Sequence, residues 1–182
     1  QRPWDLSPAG GAASGQLVEG VVQEIDIATR EVLFEWHSID HVGLDETYRG
    51  DLVDQPNFDY FHLNSIGVDA DGDLIVSARH TSTVYKIDRA TGAIRWRLGG
   101  RRSDFALGPG ARFAFQHDAR RHDDGTLTVF DNGAWGTGAG DVEGSSRGLR
   151  LRLDESTRTA DVAIEYRTPT PRLTVAMGDV QE

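Results

Sequence analysis

Apolar and polar positions alternate in short runs with a period of two, the spacing that predicts strands. LIVSAR (74–79), TVYKID (83–88), AIRWRLG (93–99), TLTVF (126–130), LRLRLD (149–154) and VAIEY (162–166) are rich in β-branched or aromatic residues and separated by Gly, Asp and Thr. No stretch carries a convincing helical period. Asp71-Gly72 and Asp124-Gly125 each precede an apolar strand, and Asp-Gly readily supplies the positive φ angles of a tight hairpin.

The pattern repeats. VVQEIDIATREVLFEW (21–36) lies on TVYKIDRATGAIRWRL (83–98), with Asp26 and Asp88 62 residues apart, and RGLRLRLDESTRTADVAIEY (147–166) is a looser third copy whose Asp154 follows Asp88 by 66. In a second register VDADGDLIVSARH matches RHDDGTLTVFDNG, with Gly72 and Gly125 53 residues apart. A unit of about 50 to 65 residues that reads as four antiparallel strands is the blade of a β-propeller. The expected architecture is therefore all-β: one propeller fragment over residues 1–182. It has an irregular segment at 1–20, a partial blade at 21–42, blades at 60–100 and 113–168, and the first strand of another at 172–182. Two full and two partial blades leave the ring open, and the chain reads as trimmed at both ends. A twisted antiparallel sandwich is the competing architecture.

Composition narrows the function. Twenty-nine acidic residues against nineteen basic give a net charge of −10, which repels a nucleic-acid backbone. There is no cysteine, hence no disulfide, thiolate nucleophile or Cys-based metal site. No window approaches a membrane span, and QRPWDLSPAGG has no apolar run that could serve as a signal peptide. Polar catalysis must rest on His, Asp, Glu, Arg, Ser or Tyr.

Three constellations offer such groups: Asp59-Tyr-Phe-His62-Leu-Asn64-Ser65-Ile66, Ser77-Ala-Arg79-His80, and Phe115-Gln116-His117-Asp118-Ala119 leading to Asp131-Asn132-Gly133. Taken in order with IDRATGAIRWRLGG (87–100), they resemble the arylsulfotransferase family, and the likeness runs from about Val32 to the C-terminus. That resemblance implies a six-bladed propeller that moves a sulfuryl group between phenols with no nucleotide donor and no cofactor or metal. Its partners would be a phenolic sulfate and a phenol acceptor, and its location secreted or periplasmic. Position by position it implies His117 as the transiently sulfurylated nucleophile, His62 and Arg79 as its catalytic partners, and Asn64 as a substrate-binding residue. A further histidine, which the family's bacterial members draw from an earlier blade, belongs to a part largely absent here.

The residue types suit that chemistry. A sulfate ester spreads one negative charge over three oxygens, so its transfer needs in-line positioning and a compact set of donors. Arg79 offers a planar fork for those oxygens. A neutral imidazole keeps a lone pair near pH 7, so His117 can attack sulfur and His62 can protonate the departing phenolate. Without the resemblance, His117 would read as a turn hydrogen-bonder, Arg79 as a carboxylate partner and His62 as a loop brace.

Other residues read as structural. His37 and His41 stand where the chain crosses between blades; strand alternation puts His80 opposite Arg79; His122 precedes a turn and reads as exposed. Asp69-x-Asp71-Gly72-Asp73 lacks the downstream Glu of a calcium loop, and the glycines of GAWGTGAGDVEGSS (133–146) open no helix, so that tract reads as a loop at the channel mouth. Two further functions compete: a quinone-dependent dehydrogenase, on the strength of Asp88-x-x-Thr91-Gly92-x-x-x-Trp96, and a propeller that only binds partners.

Overall fold

A computed structural model describes residues 1–133 and 145–181. Among them are strands and single-turn 3₁₀ segments but no α-helix, and no helix long and apolar enough to cross a membrane. The strands in chain order are β1 (Arg2–Trp4), β2 (Gly15–Val18), β3 (Val21–Ile25), β4 (Val32–His37), β5 (Phe58–Asp59), β6 (Leu63–Val68) and β7 (Leu74–Ala78). They continue with β8 (Thr83–Ile87), β9 (Ile94–Gly99), β10 (Ala106–Leu107), β11 (His117–Arg121), β12 (Thr126–Asp131), β13 (Arg147–Asp154) and β14 (Thr159–Tyr166).

They form four sheets, none closed on itself: β1-β2-β5, the hairpin β3-β4, the meander β6-β7-β8-β9, and β10-β14-β13-β12-β11. The two larger sheets are antiparallel throughout except at β10, which pairs parallel to β14. This is a partial β-propeller, as the strand pattern predicts. Its blades pack face to face, and the first strands of the two large sheets, β6 and β11, lie side by side.

Local chemistry sets the turns. Asp26 Oδ1 accepts the N–H groups of Ala28 and Thr29 at 2.8 Å each, Asp88 Oδ1 those of Ala90 and Thr91 at 2.8 Å each, and Asp154 Oδ1 those of Ser156 and Thr157 at 2.9 and 3.0 Å. Each is an Asx turn that reverses the chain between the last two strands of a sheet, and each is followed by a left-handed residue: Arg30, Gly92 or Arg158. Gly72 and Gly125 take φ of 89° and 80° in the β6-β7 and β11-β12 hairpins, the positive angles Asp-Gly turns require.

Packing explains why β7 and β8 read as continuous apolar runs. Val76, Tyr85 and Ile87 face one core, shared with Trp36, Tyr60 and Phe61 of the preceding segments. Ile75, Val84, Trp96 and Leu98 face a second core, filled from the other side by Leu127, Val129, Leu149 and Leu151. A sheet between two others has no wet face, so the in–out alternation disappears. Lys86, buried within it, is held by Asp69 and Asp71 at 2.8 and 2.6 Å. Two carboxylates of the acidic hairpin considered for calcium are thus bonded to an ammonium group.

Several expectations need correction. Residues 1–20 are not irregular: β1 and β2 pair antiparallel, and β2 pairs parallel with β5, about forty residues downstream. The two-residue strand β10 adds an unforeseen fifth member to the last sheet. Residues 172–181 form no strand; their backbone groups bond instead to Arg79, His117, Asp118, Asn132 and Ser146. His122 is half-buried rather than exposed, its Nε2 3.0 Å from Thr128 Oγ1. The loop reading of 133–146 falls largely on residues 134–144, outside the described residues.

Candidate functional site

The candidate residues sit on turns and strand ends where the two large sheets meet. Arg79 lies in the tight turn after β7, His62 immediately precedes β6, and His117 opens β11. Phe115 meets two of the surrounding groups: the Arg79 guanidinium stands 4.8 Å over its ring, and the His80 ring, which lies 4.5 Å from His62 at a tilt of 34°, meets its edge at 6.3 Å. The charges of Arg79 and His62 both reach His117.

His117 is fixed by the strand pair it begins. It pairs with Phe130 of β12 just before a β-bulge, and its Nδ1 lies 2.8 Å from Asn132 Oδ1. The Asn132 amide is oriented without ambiguity, because its Nδ2 donates to the carbonyls of Thr174 and Met177 at 2.8 and 2.9 Å. Its oxygen can only accept, so His117 carries its proton on Nδ1. The lone pair therefore stands on Nε2, where the Met177 N–H donates over a long 3.3 Å. Burial is the main influence holding the imidazole below its usual pKa; the Asn132 hydrogen bond opposes it, and the Arg79 and His62 charges add to it. The ring is neutral at pH 7.

The segment around His117 is tied to the preceding sheet rather than only to its own. Gln116, fully buried, donates from Nε2 to Ser77 Oγ, the Ala78 carbonyl and the Thr83 carbonyl at 2.9, 3.2 and 3.1 Å. The Phe115 N–H bonds Ser82 Oγ, the Ala119 N–H bonds Ser65 Oγ, and Asn64 Nδ2 donates to the Gln116 carbonyl at 2.7 Å. Asn64 thus braces the His117 segment, while its Oδ1 is buried with no partner among the described residues.

Arg79 is buried, donates from one terminal nitrogen to the Val175 carbonyl at 2.8 Å, and leaves its Nε without a partner among the described residues. Burial lowers its pKa, yet no carboxylate pairs with it among the described residues. The guanidinium fork is only partly satisfied.

His80 does not point away from Arg79. The alternation rule applies within a strand, and β7 ends at Ala78, so Arg79 and His80 occupy a turn. The His80 Nδ1–H bonds the Asp59 carbonyl at 2.6 Å, and burial drives its pKa down to about 4. Asp59, at the end of β5, also meets His62: Oδ1 accepts the His62 N–H at 3.0 Å and Oδ2 lies 2.5 Å from Nδ1. Burial would raise the Asp59 pKa, but the His62 hydrogen bond and the nearby imidazole charges outweigh it, and the carboxyl titrates below its usual range. Asp59, His62 and His80 each offer one ligand atom within 4.8 Å of the others, a metal-like spacing. Here they close on one another through hydrogen bonds.

Below this network lies a buried ion pair. Arg147 Nε meets Asp131 Oδ2 at 2.9 Å, while Asp131 Oδ1 accepts the N–H groups of Ala114 and Gly133 at 2.9 and 3.0 Å. Asp131 therefore anchors the chain on both sides of His117 and Asn132. Backbone strain gathers at the same place. Seven described residues other than glycine take positive φ, and five of them, His62, Ser82, Phe115, Asp118 and Met177, surround the site; such strain persists where the surroundings over-determine it. Away from the site, His41 stacks on Trp36 at 5.2 Å and His37 bonds Glu19 and Glu35.

Two groups that hold the candidate residues, Asp59 and Asn132, were not among the candidates read from the sequence. Both lay inside the quoted motifs, Asp59 three residues before His62 and Asn132 in the Asp-Asn-Gly after β12. Three residues is the reach of an Asx-type side chain to a backbone N–H.

No curated protein matches the sequence. A family model does: the one described as Arylsulfotransferase (ASST) matches residues 1–182, the whole chain. With an all-β, blade-built fold and a polar site at the junction of two blades, the chain belongs to the arylsulfotransferase family.

Proposed function

We propose that the protein transfers a sulfuryl group from a phenolic sulfate ester to a phenolic acceptor through a sulfo-histidine at His117. The observation that carries this reading is the tautomer of His117. With Nδ1–H given to Asn132, the nucleophilic electron pair stands on Nε2, and a neutral imidazole keeps it available at pH 7.

In the first half-reaction Nε2 attacks sulfur, the Nε2–S bond forms and the S–O(aryl) bond breaks, with its electron pair leaving on the phenolate. His62 supplies the proton that turns phenolate into phenol. Arg79 holds the sulfuryl oxygens, its free Nε adding a donor where charge is redistributed in transfer. The acceptor phenol then enters, His62 takes back its proton, and the phenol oxygen displaces His117 from sulfur. The Met177 N–H yields Nε2 as the donor binds, since a 3.3 Å contact is at the weak end of hydrogen bonding.

The test is intact-protein mass after treatment with 4-nitrophenyl sulfate and no acceptor. Wild type gains one sulfuryl group with a burst of nitrophenol; His117→Asn gains none and loses transfer by about 10³-fold or more while folding stays intact. Equal labelling of both proteins, or wild-type turnover with no labelling, overturns the covalent role of His117.

A further inference from the structure

We propose that Asp59 is a positioning residue for transfer: with His80 it holds His62 so that Nε2 of His62 is the nitrogen that passes the proton to the leaving phenolate. The inference rests on the sulfuryl-transfer reading above and deepens it.

Three observations converge. First, both Asp59 oxygens are spent on one residue, Oδ1 on the His62 backbone N–H at 3.0 Å and Oδ2 on Nδ1 at 2.5 Å. No Lys or Arg forms an ion pair with Asp59 among the described residues, although its charge is felt at Arg79. A carboxylate accepts only, so one proton of the ring sits on Nδ1 and the transferable one on Nε2; His62 therefore acts in its doubly protonated form, for which the same carboxylate is the counter-charge, and becomes the neutral Nδ1–H tautomer on passing the Nε2 proton to the phenolate.

Second, His62 takes φ 55° at the step into β6. The left-handed region is sterically unfavourable for residues other than Gly, Asn or Asp, and the backbone bond to Oδ1 helps retain it. That conformation turns the ring out of the strand's alternation and against His80. Third, the ring has a second neighbour besides Asp59. The His62 ring lies 4.5 Å from the His80 ring at a tilt of 34°, and the His80 Nδ1–H bonds the Asp59 carbonyl at 2.6 Å. Asp59 thus grips His62 with its side chain and His80 with its backbone, and the two rings brace each other. Burial keeps His80 uncharged at neutral pH, so it places no second cation beside His62.

A proton donor to the leaving group matters in proportion to how poor that group is. The assay is therefore transfer by the full chain from a series of aryl sulfates, from 4-nitrophenyl sulfate (a good leaving group) to unsubstituted phenyl sulfate (a poor one). Asp59→Asn keeps the size but accepts through a neutral oxygen. It is expected to lower kcat by about 10²-fold for phenyl sulfate, with a far smaller loss for 4-nitrophenyl sulfate and an unchanged KM. His62→Gln should show the same dependence on leaving group, and the double variant should lose little more than His62→Gln alone. Asp59→Glu, which keeps the charge on a longer stem, should fall between wild type and Asp59→Asn.

An equal loss across all donors, a rise in KM alone, or a wild-type dependence in Asp59→Asn beside a steep one in His62→Gln overturns the assignment of Asp59. If Asp59→Asn does not fold, a wild-type dependence in folded Asp59→Glu overturns it instead. Labelling of His117→Asn overturns the transfer reading itself, a separate result.

Discussion

Acid should weaken this fold through one buried ring. His80 is 4% exposed, donates to the Asp59 carbonyl, and packs against His62 and Phe115. Burial holds its pKa near 4, against about 6.5 for a histidine in an unfolded chain. Because the folded value is the lower one, the unfolded chain binds this proton first as pH falls. The group has no effect on stability well above pH 6.5, removes stability progressively from about 6.5 down to about 4, and has its full effect below that. The gap corresponds to on the order of 3 kcal/mol, a large part of the net stability of a domain. His117, also held low by burial, adds to the same loss, and Asp59, held below the usual carboxylate range, extends it to lower pH. To isolate His80, urea unfolding followed by tryptophan fluorescence at pH 7, 6, 5 and 4 is compared between wild type and His80→Gln, which keeps a donor for the Asp59 carbonyl but does not titrate. The wild type should lose about 3 kcal/mol more than the variant over that range. Profiles parallel to within about 0.5 kcal/mol would refute the claim that His80 is buried uncharged.

Arg147→Met should destabilise the protein by about 3–5 kcal/mol, read from the urea midpoint, because it strands the fully buried Asp131 carboxylate; Asp131→Asn in the same chain should recover part of that loss, and a single-variant effect below about 1 kcal/mol would contradict the pairing. Asn132→Ala removes the acceptor that sets the His117 tautomer and should slow sulfuryl labelling of His117 by about 10²-fold with little change in donor KM; wild-type labelling rates would show that the tautomer is set elsewhere.

The strands that carry the large sheets were legible because each is bounded by a turn with its own chemistry, as at Asp71-Gly72 before β7 and Asp88 after β8. The pairing of β1, β2 and β5 was not, since strands of two to four residues are too short for a period, and β5 joins its partner from about forty residues away. His80 departs from the expected alternation because it lies two residues past the end of β7. His62, Arg79 and His117 were visible through motif order. Their supports were less so: Asn132 reaches His117 across a bulged strand pair, and Asp59 reaches His62 through a left-handed turn.

The Gln116 clasp gives the site a mechanical reference frame. Blades of a propeller slide and tilt against each other thermally, and a centre split between two of them would feel every such motion. Here the strand end bearing His117 is stitched to Ser77, Ala78, Ser82 and Thr83 of the neighbouring sheet, the turn that also carries Arg79. A displacement of one blade against the other must therefore break these bonds before it can separate His117 from Arg79. The clasp thus couples the two groups mechanically across a blade boundary and 38 residues of chain.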